Sequence, residues 1–457
     1  MTSLAPAAHL ELVGADRAVP LVTGGTRRYV NLDYAASAPC LVAVKRAVDD
    51  LLEWYASVHR GAGFLSDVST RAYEGARTAV GEFVGARPDD AVVFTRNTTD
   101  AINLLAAALP ADTQVVTFAS EHHANLLPWS RRDAVVLPIP RSPGQAIDQL
   151  DRALRGGVRG PRLVAVTGAS NVTGELWPYE DLTRVAHRHG ARILLDAAQL
   201  APHLLVDMTA TDIDYLALSG HKLYAPLGAG ALIGRRDWLT AGEPMLVGGG
   251  AVSFVSVDEV VWADLPDRAE AGTPNIVGAV ALGVACRTLA AADRAELEAT
   301  QTTLINDAQI RLDAIPTVGC RRLWSSSHPR IGVLTFTLRD VGYAQLAAAL
   351  SAEHGIGVRH GCFCAHPLVS DLLDIDDDAV AGIAAALRAG RRPAMPGAVR
   401  LSIGLGTTSA DIDRLVGAVE QIAVDGPRWS YRTSPDGKDC WPDPDPRPRP
   451  AVAFELA

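Results

Sequence analysis

Long hydrophobic runs are missing from this sequence. Of its 457 residues 48% are hydrophobic, yet no apolar stretch reaches the roughly 18 residues that cross a bilayer. The segment from Met1 to Gly14 also lacks the basic-then-apolar order of a secretory signal. We therefore expect a folded protein with buried cores that lies in the cytoplasm and has no membrane partner.

Cysteines and basic clusters are scarce as well. The 42 basic and 52 acidic residues give a net charge of −10, and their scatter along the chain argues against a nucleic-acid partner. Six cysteines are too few for a secreted disulfide scaffold of this length. The acidic run from Asp374 to Asp378 lacks the central glycine and distal glutamate of a calcium loop, so it predicts a solvated loop.

Lysine is the rarest basic residue. The sequence contains only Lys45, Lys222 and Lys438, so nearly all basic side chains are arginine. Lys222 lies in an apolar stretch, where a lysine can lose its proton and an arginine cannot. The alternative is an ordinary lysine without a chemical role.

Short β-branched runs alternate with helical patterns between about residues 90 and 235. Nearly continuous apolar strands separated by helices predict an α/β fold with a mostly parallel sheet covered on both faces, and such sheets bind ligands at the carboxyl ends of their strands. The seven candidate strands are AVVFT from Ala91, QVVTF from Gln114, AVVL from Ala134, RLVAVT from Arg162, RILLDA from Arg192, DYLAL from Asp214 and GALIG from Gly230.

The pattern changes after about residue 285 to Ala-rich helices and a few strands, which predicts a smaller α+β domain. We expect a last helix from near Ser409 to Val424, with Thr408 and Asp411 as a capping box. A Pro- and Asp-rich composition follows and is typical of an extended tail. The predicted parts are an N-terminal segment over 1–30 that packs on the small domain, a ligand-binding large domain over 31–285, the small domain over 286–426 and the tail over 427–457.

Polar residues follow four of the predicted strands. Lys222 comes after DYLAL, and a neutral amine there can attack an aldehyde. Asp196 ends RILLDA and can pair with a protonated pyridine nitrogen. Thr98 and Thr99 begin a helix after AVVFT, where free N–H groups and the helix dipole favour a phosphate. The segment EHHAN from Glu121 follows QVVTF, and an imidazole of its two histidines can stack on an aromatic ring.

Together these residues meet the needs of pyridoxal 5′-phosphate (PLP), which carries an aldehyde, a pyridine nitrogen and a phosphate. Each has an ordinary alternative, namely a helix cap for Asp196 and the threonines and a structural role for the histidine.

Ten ordered segments between about residues 31 and 424 resemble the class V, fold type I PLP enzymes, and within them the cysteine desulfurases and selenocysteine lyases. These segments are LDYAASAP from Leu32, SVHRGAG from Ser57, FTRNTTDAINL from Phe94, SEHHANLLPW from Ser120, SNVTGE from Ser170, LLDAAQ from Leu194, LSGHKLYAPLGAG from Leu218, EAGTPN from Glu270, RHGCFCAHPL from Arg359 and VRLSIG from Val399.

The resemblance implies a role for each matching residue. Lys222 would form the Schiff base with the cofactor, Asp196 would pair with the pyridinium, Gln199 would bond the phenolate oxygen and His122 would stack on the ring. Substrate orientation would fall to Asn171, Arg359 and Arg400. The phosphate would be held by Thr98, Thr99, Ser219 and His221, and Thr273 would reach the partner subunit's phosphate, which implies a homodimer.

Cys364 distinguishes among the reactions that the cofactor allows. It occupies the nucleophile position of an Arg-x-Gly-x-x-Cys-Ala-x-Pro pattern that begins at Arg359, and the nearby His360 and His366 add to a setting that favours thiolate. The implied reaction removes sulfur from L-cysteine, yields alanine and leaves a persulfide on Cys364 for an acceptor protein or small molecule.

Other interpretations stay open at this stage. The long stretch after Cys364 and the Gly-Cys-Phe-Cys sequence are similar to the desulfurase domain of molybdenum-cofactor sulfurases, so the acceptor and the choice between Cys362 and Cys364 are undecided. A class V aminotransferase, epimerase or carbon–sulfur lyase of secondary metabolism would not use the cysteine. A metal-binding module at the cysteine–histidine cluster and a catalytically silent binding protein are further alternatives.

Overall fold

The computed structural model describes residues 10–156 and 160–450. The chain divides into two compact units. Among the described residues, the large unit comprises 10–13, Tyr34–Gln301 and Leu323–Ile331, and the small unit comprises Gly14–Asp33, Thr302–Arg322 and 332–450. The division after Gln301 differs from the boundary predicted at residue 285, because the helices after 285 belong partly to the large unit. Of the predicted N-terminal segment, residues 14–30 belong to the small unit, and residues 1–9 lie outside the described residues.

The strands are short and are numbered in chain order. They are β1 (Ala18–Pro20), β2 (Thr26–Arg28), β3 (Val30–Asn31), β4 (Ala91–Thr95), β5 (Gln114–Phe118), β6 (Ala134–Leu137), β7 (Arg162–Thr167), β8 (Arg192–Asp196), β9 (Tyr215–Ser219), β10 (Gly230–Gly234), β11 (Val252–Val255), β12 (Val260–Trp262), β13 (Val318–Arg321), β14 (Val333–Leu338), β15 (Ile356–Gly357), β16 (Arg359–Gly361), β17 (Ala398–Ser402), β18 (Tyr431–Thr433) and β19 (Cys440–Pro442).

The α-helices cover much of the remaining chain. They are α1 (Val42–Glu53), α2 (Phe64–Phe83), α3 (Thr98–Ala108), α4 (Pro143–Arg155), α5 (Tyr179–Arg188), α6 (Met208–Thr211), α7 (Arg236–Leu239), α8 (Ile276–Ala290), α9 (Arg294–Asp313), α10 (Tyr343–His354), α11 (His366–Leu372), α12 (Asp377–Arg388) and α13 (Ser409–Asp425). Within residues 10–156 and 160–450, no single helix has the length and hydrophobicity to cross a membrane, and only the sharply bent pair α8 and α9 passes that test jointly.

A seven-stranded sheet forms the centre of the large unit. Its strand order is β4-β10-β9-β8-β7-β5-β6, and it consists of the seven strands predicted from the sequence. Strand β10 runs antiparallel to β4 and β9, whereas the other neighbouring pairs are parallel. The prediction of a mostly parallel sheet is therefore confirmed, and the carboxyl ends of β4, β5, β7, β8 and β9 lie along one edge.

The inner strands of this sheet are buried on both faces. All five residues of β9 and of β10 are buried, as are Ile193, Leu194 and Leu195 of β8. Continuous apolar strands of this kind need helices on both sides of the sheet. Polar side chains are consequently accommodated at the strand ends.

The small unit contains a four-stranded antiparallel sheet with the order β13-β14-β17-β16. Its core includes the fully buried Phe336, Leu346 and Leu415 from β14, α10 and α13. The predicted capping box is confirmed, since Thr408 Oγ1 accepts from the Asp411 N–H group and the Asp411 carboxylate accepts from the Thr408 N–H group. Helices α11 and α12 occupy the long stretch between Cys364 and Arg400.

Over its described residues, 427–450, the Pro- and Asp-rich region includes a hairpin and is not one extended tail. Strands β18 and β19 pair antiparallel as a hairpin, with Thr433 opposite Cys440. The buried Glu353 of α10 holds this hairpin, because its carboxylate accepts from the N–H groups of Arg428 and Trp429 and from the Tyr431 hydroxyl at 2.8 Å. Buried hydrogen bonds to a charged acceptor stabilise the hairpin in a way that composition does not reveal.

Substitution of Thr408 by alanine tests the capping box. The N–H group of Asp411 would lose its acceptor, and loss of such a cap costs about 1 kcal/mol. We expect a lower urea midpoint for unfolding, followed by circular dichroism. Ser409→Ala, one position further along the same helix, is the matched control, and equal midpoints for the two variants would contradict a capping role of Thr408.

Candidate active site

The loop after β9 holds Lys222 at the carboxyl edge of the large sheet. The Gly220 N–H group donates to the Ala229 carbonyl at 2.8 Å, and the Ala225 N–H group donates to the Gly220 carbonyl at 2.9 Å. A Cβ atom on Gly220 would lie 2.8 Å from the Ala229 oxygen. Only glycine fits this tight loop, which fixes the backbone that carries Lys222.

The ends of β4 and β9 meet at a hydroxyl pair. The Thr98 N–H group donates to Ser219 Oγ at 2.8 Å, and the two hydroxyl oxygens are 2.9 Å apart. Helix α3 begins at Thr98, so its amino-terminal turn and the positive end of its dipole lie beside both hydroxyls. Thr99 is exposed on the same turn. This combination is a suitable site for a phosphate.

His221 contributes to this region as a neutral side chain. Burial, with the nearby Lys222 charge, lowers the pKa of His221 to about 4. The imidazole is therefore uncharged at neutral pH. Asp100 in the first turn of α3 is paired with Arg96 at 2.9 Å, which compensates the carboxylate charge near the helix start.

Asp196 is a buried carboxylate at the end of β8. Its Oδ1 atom accepts from the Ala198 N–H group at 3.0 Å, and 4% of the residue is exposed. Burial raises the pKa of Asp196, whereas the Lys222 charge acts in the opposite direction. A buried carboxylate of this kind is stabilised by a cationic partner such as a protonated pyridine nitrogen.

The other predicted large-unit residues have distinct environments. Gln199 is buried, and its Nε2 atom donates to the Ala35 carbonyl at 2.9 Å. His122 caps a short 3-10 helix, with Nδ1 accepting from the Ala124 N–H group at 3.0 Å. Asn171 is buried in the turn that follows β7, and Thr273 is exposed just before α8.

Glu121 is a buried residue to which the sequence analysis gave no role. Its carboxylate accepts from the Thr167 N–H group at 3.0 Å and from Asn125 Nδ2 at 2.8 Å. Burial raises the pKa of Glu121 to about 8, and the charge of Asp196 adds to the effect. Glu121 thus links the ends of β5 and β7 next to His122 and brings a second acidic group near Asp196.

The small unit groups Arg400, Arg359 and Cys364. Arg400 is buried, its Nη2 atom lies 3.3 Å from Asp33 Oδ1, and burial lowers its pKa to about 10. Arg359 is directly opposite Arg400 in the β16–β17 pairing, and its side chain is exposed. The charge of Cys364 acts on Arg400 as well, which places the thiol close to that guanidinium.

Cys364 lies on a tight turn. The Ala365 N–H group donates to the Cys362 carbonyl at 2.9 Å, and φ is positive at both Phe363 (53°) and Cys364 (54°). This is the conformation of a primed turn, which glycine and asparagine normally occupy. The Phe363 ring is buried, with the Arg400 guanidinium 5.2 Å from its centroid, so packing holds the strained turn. Cys364 is exposed and Cys362 is half-buried.

The histidines that flank the turn are not cations at neutral pH. Burial lowers the pKa of both His360 and His366. Arg359 is therefore the permanent positive charge among the three groups that the sequence placed around Cys364. Within residues 10–156 and 160–450, no three histidine, cysteine or acidic side chains are grouped so as to hold a metal ion.

The donor set of the large unit fits PLP. The Thr98–Ser219 pair at the start of α3 suits the phosphate, the buried Asp196 suits the pyridinium nitrogen, and Lys222 is near enough for its charge to act on Asp196. Comparison with known families agrees with this reading, because the model of the aminotransferase class-V family matches residues 30–415. The chain belongs to this family. It is a PLP-dependent enzyme of fold type I.

This class V enzyme is similar to several cysteine desulfurases. A cysteine desulfurase from Dickeya dadantii is 36% identical over 86% of this chain and 91% of the relative. A probable cysteine desulfurase from Halalkalibacterium halodurans is also 36% identical, over 74% of this chain and 85% of the relative. The solved structure of a cysteine desulfurase from Thermococcus onnurineus has a TM-score of 0.75 and 30% identity, and the match covers 86% of this chain and 94% of that one.

The raised pKa of Glu121 makes stability depend on pH. The pKa of Glu121 is about 8 in the folded protein and 4.5 in its ordinary state. The contribution of this carboxyl to the free energy of unfolding is therefore fully present below pH 4.5 and is lost as the pH rises through about 8. Glu121→Gln cannot ionise, so the variant does not lose this stability. The urea midpoint of the variant relative to the natural protein should therefore rise between about pH 5 and about pH 8.

The control for this experiment is Glu82→Gln, which changes an exposed glutamate of α2. Its midpoint relative to the natural protein should not vary with pH. A difference between Glu121→Gln and the natural protein that stays constant over the same range would show that Glu121 titrates normally.

Proposed function

We propose that this class V enzyme removes the sulfur atom from L-cysteine, releases alanine and carries the sulfur as a persulfide on Cys364. The observation that carries the proposal is the exposed Cys364 thiol on a turn packed against Arg400. The similarity to cysteine desulfurases supports it, and so does the donor set for PLP. A lyase, epimerase or aminotransferase of the same family would have no use for a presented thiol.

PLP, when bound, withdraws electrons from the α-carbon of the amino acid. Lys222 Nζ accepts the α-proton of the substrate and later returns a proton to it. Asp196 would stabilise the positive charge on the pyridine nitrogen, and His122 would pack on the ring. Thr98 and Ser219 hold the phosphate together with the two remaining candidate ligands, Thr99 and His221.

Arg400 binds the carboxylate of L-cysteine, with Arg359 and Asn171 orienting the rest of the substrate. A guanidinium can bind a carboxylate through two parallel hydrogen bonds, which fixes the substrate in one direction. The Asp33 carboxylate, 3.3 Å from Arg400, positions that guanidinium. Gln199 is assigned to the phenolate oxygen of the cofactor through its second amide hydrogen, since the first goes to Ala35.

Sulfur transfer needs no external oxidant. The Cys364 thiolate attacks the substrate sulfur, an S–S bond forms, and the carbon–sulfur bond breaks with its electron pair left on the substrate carbon. That carbon takes a proton. L-cysteine and one enzyme thiol thus give alanine and one enzyme persulfide, so atoms and electrons balance.

The proposal extends to the oligomeric state of the enzyme and to its location in the cell. We infer a homodimer in the cytoplasm in which Thr273 reaches the phosphate site of the partner subunit. The large unit also exposes apolar side chains that a partner subunit would cover, since 70% of Val247, 57% of Phe254 and all of Val257 are exposed. The sulfur acceptor is a protein or a small molecule.

Alanine formation from L-cysteine tests the choice of thiol. Cys364→Ser removes the nucleophile, and we expect alanine formation to fall by on the order of 10³-fold or more while PLP absorbance persists. Cys320→Ser, which changes a half-buried cysteine of β13, is the control and should match the natural enzyme.

Two outcomes of this experiment would overturn the assignment. Loss of alanine formation in Cys362→Ser but not in Cys364→Ser would move the persulfide to Cys362. Pyruvate as the product, at equal rates in all variants, would replace the desulfurase by a lyase. Lys222→Ala should abolish product formation in every case, because no other described amine is placed on the loop after β9.

A further inference from the structure

A pocket of about 530 Å³ lies beside the cysteine turn and entirely within the small unit. Its lining includes Cys364, Arg359, Tyr343, Lys438 and Asp439. The volume is within the roughly 300–1,000 Å³ range of small-molecule sites. The pocket is thus large enough to hold a small organic molecule next to the exposed thiol.

The C-terminal hairpin supplies one wall of this pocket. Strands β18 and β19 lie beyond residue 415, where the family match ends. The turn between them is ordered by its own hydrogen bonds, since Asp436 Oδ1 accepts from the Ser434 hydroxyl at 2.7 Å and the Asp439 N–H group donates to Ser434 Oγ at 3.0 Å. These hydrogen bonds therefore fix the turn that carries Lys438 and Asp439 in the lining of the pocket, which also includes Cys364.

The fixed charges of the pocket are positive on balance. Arg359 and Lys438 contribute two cations and Asp439 one anion, whereas the protein as a whole carries −10. The lining histidines His360 and His366 are neutral at pH 7, because burial lowers the pKa of each. An anionic ligand is favoured over a neutral one of the same size.

We propose that this pocket binds the sulfur acceptor, that the acceptor is a small thiol carrying a carboxylate, and that Lys438 selects it by pairing with that carboxylate. The inference rests on the proposed persulfide of Cys364. The acceptor thiolate attacks the outer persulfide sulfur, the S–S bond breaks, and Cys364 leaves as a thiolate. The acceptor becomes a persulfide that keeps the hydrogen of the outer sulfur, and the Cys364 thiolate takes up the proton that the acceptor thiol released.

Acceptor kinetics test the proposal on the full-length holoenzyme. The probes are 3-mercaptopropionate and the neutral 2-mercaptoethanol, with alanine as the readout at one fixed L-cysteine concentration. The rate without added thiol is subtracted, because L-cysteine is itself a thiol with a carboxylate. Lys438→Gln should raise the ratio of the two KM values, anionic over neutral, by roughly two- to fivefold, the effect of one exposed ion pair. Lys438→Arg should restore the ratio, and Asp439→Asn should lower it.

Lys45→Gln is the matched control, because Lys45 is an exposed lysine of α1 paired with Asp49. It should leave the ratio unchanged. An unchanged ratio in Lys438→Gln would overturn the selecting role of Lys438. Alanine released once per site, followed by no turnover with either thiol, would overturn the small-molecule acceptor in favour of a protein.

A second measurement tests the anion site of the pocket separately from the persulfide reaction. Calorimetric binding of 3-(methylthio)propionate, which cannot accept sulfur, reports on the pocket alone. If no alanine forms but this anion binds more weakly to Lys438→Gln than to the natural enzyme, the persulfide reaction is wrong and the anion site is right. If the anion binds both proteins equally, the site is overturned whatever the reaction.

Discussion

A sheet buried on both faces places its polar chemistry at the strand ends, and the organisation of the large unit depends on that constraint. The Thr98–Ser219 hydroxyl pair shows how closely two such ends approach, although β10 runs between β4 and β9. Gly230 at the start of β10 makes this possible. A Cβ atom there would lie 2.6 Å from the Leu218 oxygen and 2.7 Å from Asn97 Cα. A larger residue would push apart the two segments that are proposed to hold the phosphate.

The small unit relies on a second constraint, the burial of a guanidinium. Arg400 is compensated by Asp33 and covers the Phe363 ring, so charge and packing act on one side chain. Phe363 is thereby held with a positive φ that phenylalanine avoids elsewhere. This strained turn exposes Cys364 to solvent and keeps Phe363 buried. The side chain proposed to bind the substrate carboxylate thus also packs against the turn that exposes the thiol.

Local sequence patterns were sufficient to locate the strands of the large sheet and the last helix, but not to predict how the strands pair. Apolar runs of four to six residues located all seven sheet strands, and the Thr408–Asp411 spacing located the last helix, because both patterns are local. The antiparallel insertion of β10 is set by long-range pairing, which no local pattern encodes. The hairpin was missed for a similar reason, since Glu353, about 75 residues earlier in the chain, supplies the acceptors that stabilise it.

The candidate site residues likewise divide into those that local sequence indicates and those that depend on long-range packing. Lys222, Asp196 and Thr98 could be proposed from the sequence because strand ends carry ligands in parallel sheets. Glu121 could not be given a role, because nothing in its neighbouring residues reveals full burial beside a second carboxylate. The neutrality of His360 and His366 also depends on burial, so the sequence pattern overstated the positive charge around Cys364.

The three lysines show why residue type and position have to be read together. Arginine replaces lysine nearly everywhere in this chain, and Lys45 on the surface of α1 is a position where either residue would serve. Lys222 needs an amine that can exist without its proton, which a guanidinium cannot provide. The role proposed for Lys438 requires only a compact positive charge in the lining of a pocket. The same residue type is thus proposed as a catalytic amine at a strand end and as an anion-binding cation on a hairpin, and the difference arises from the groups around each position.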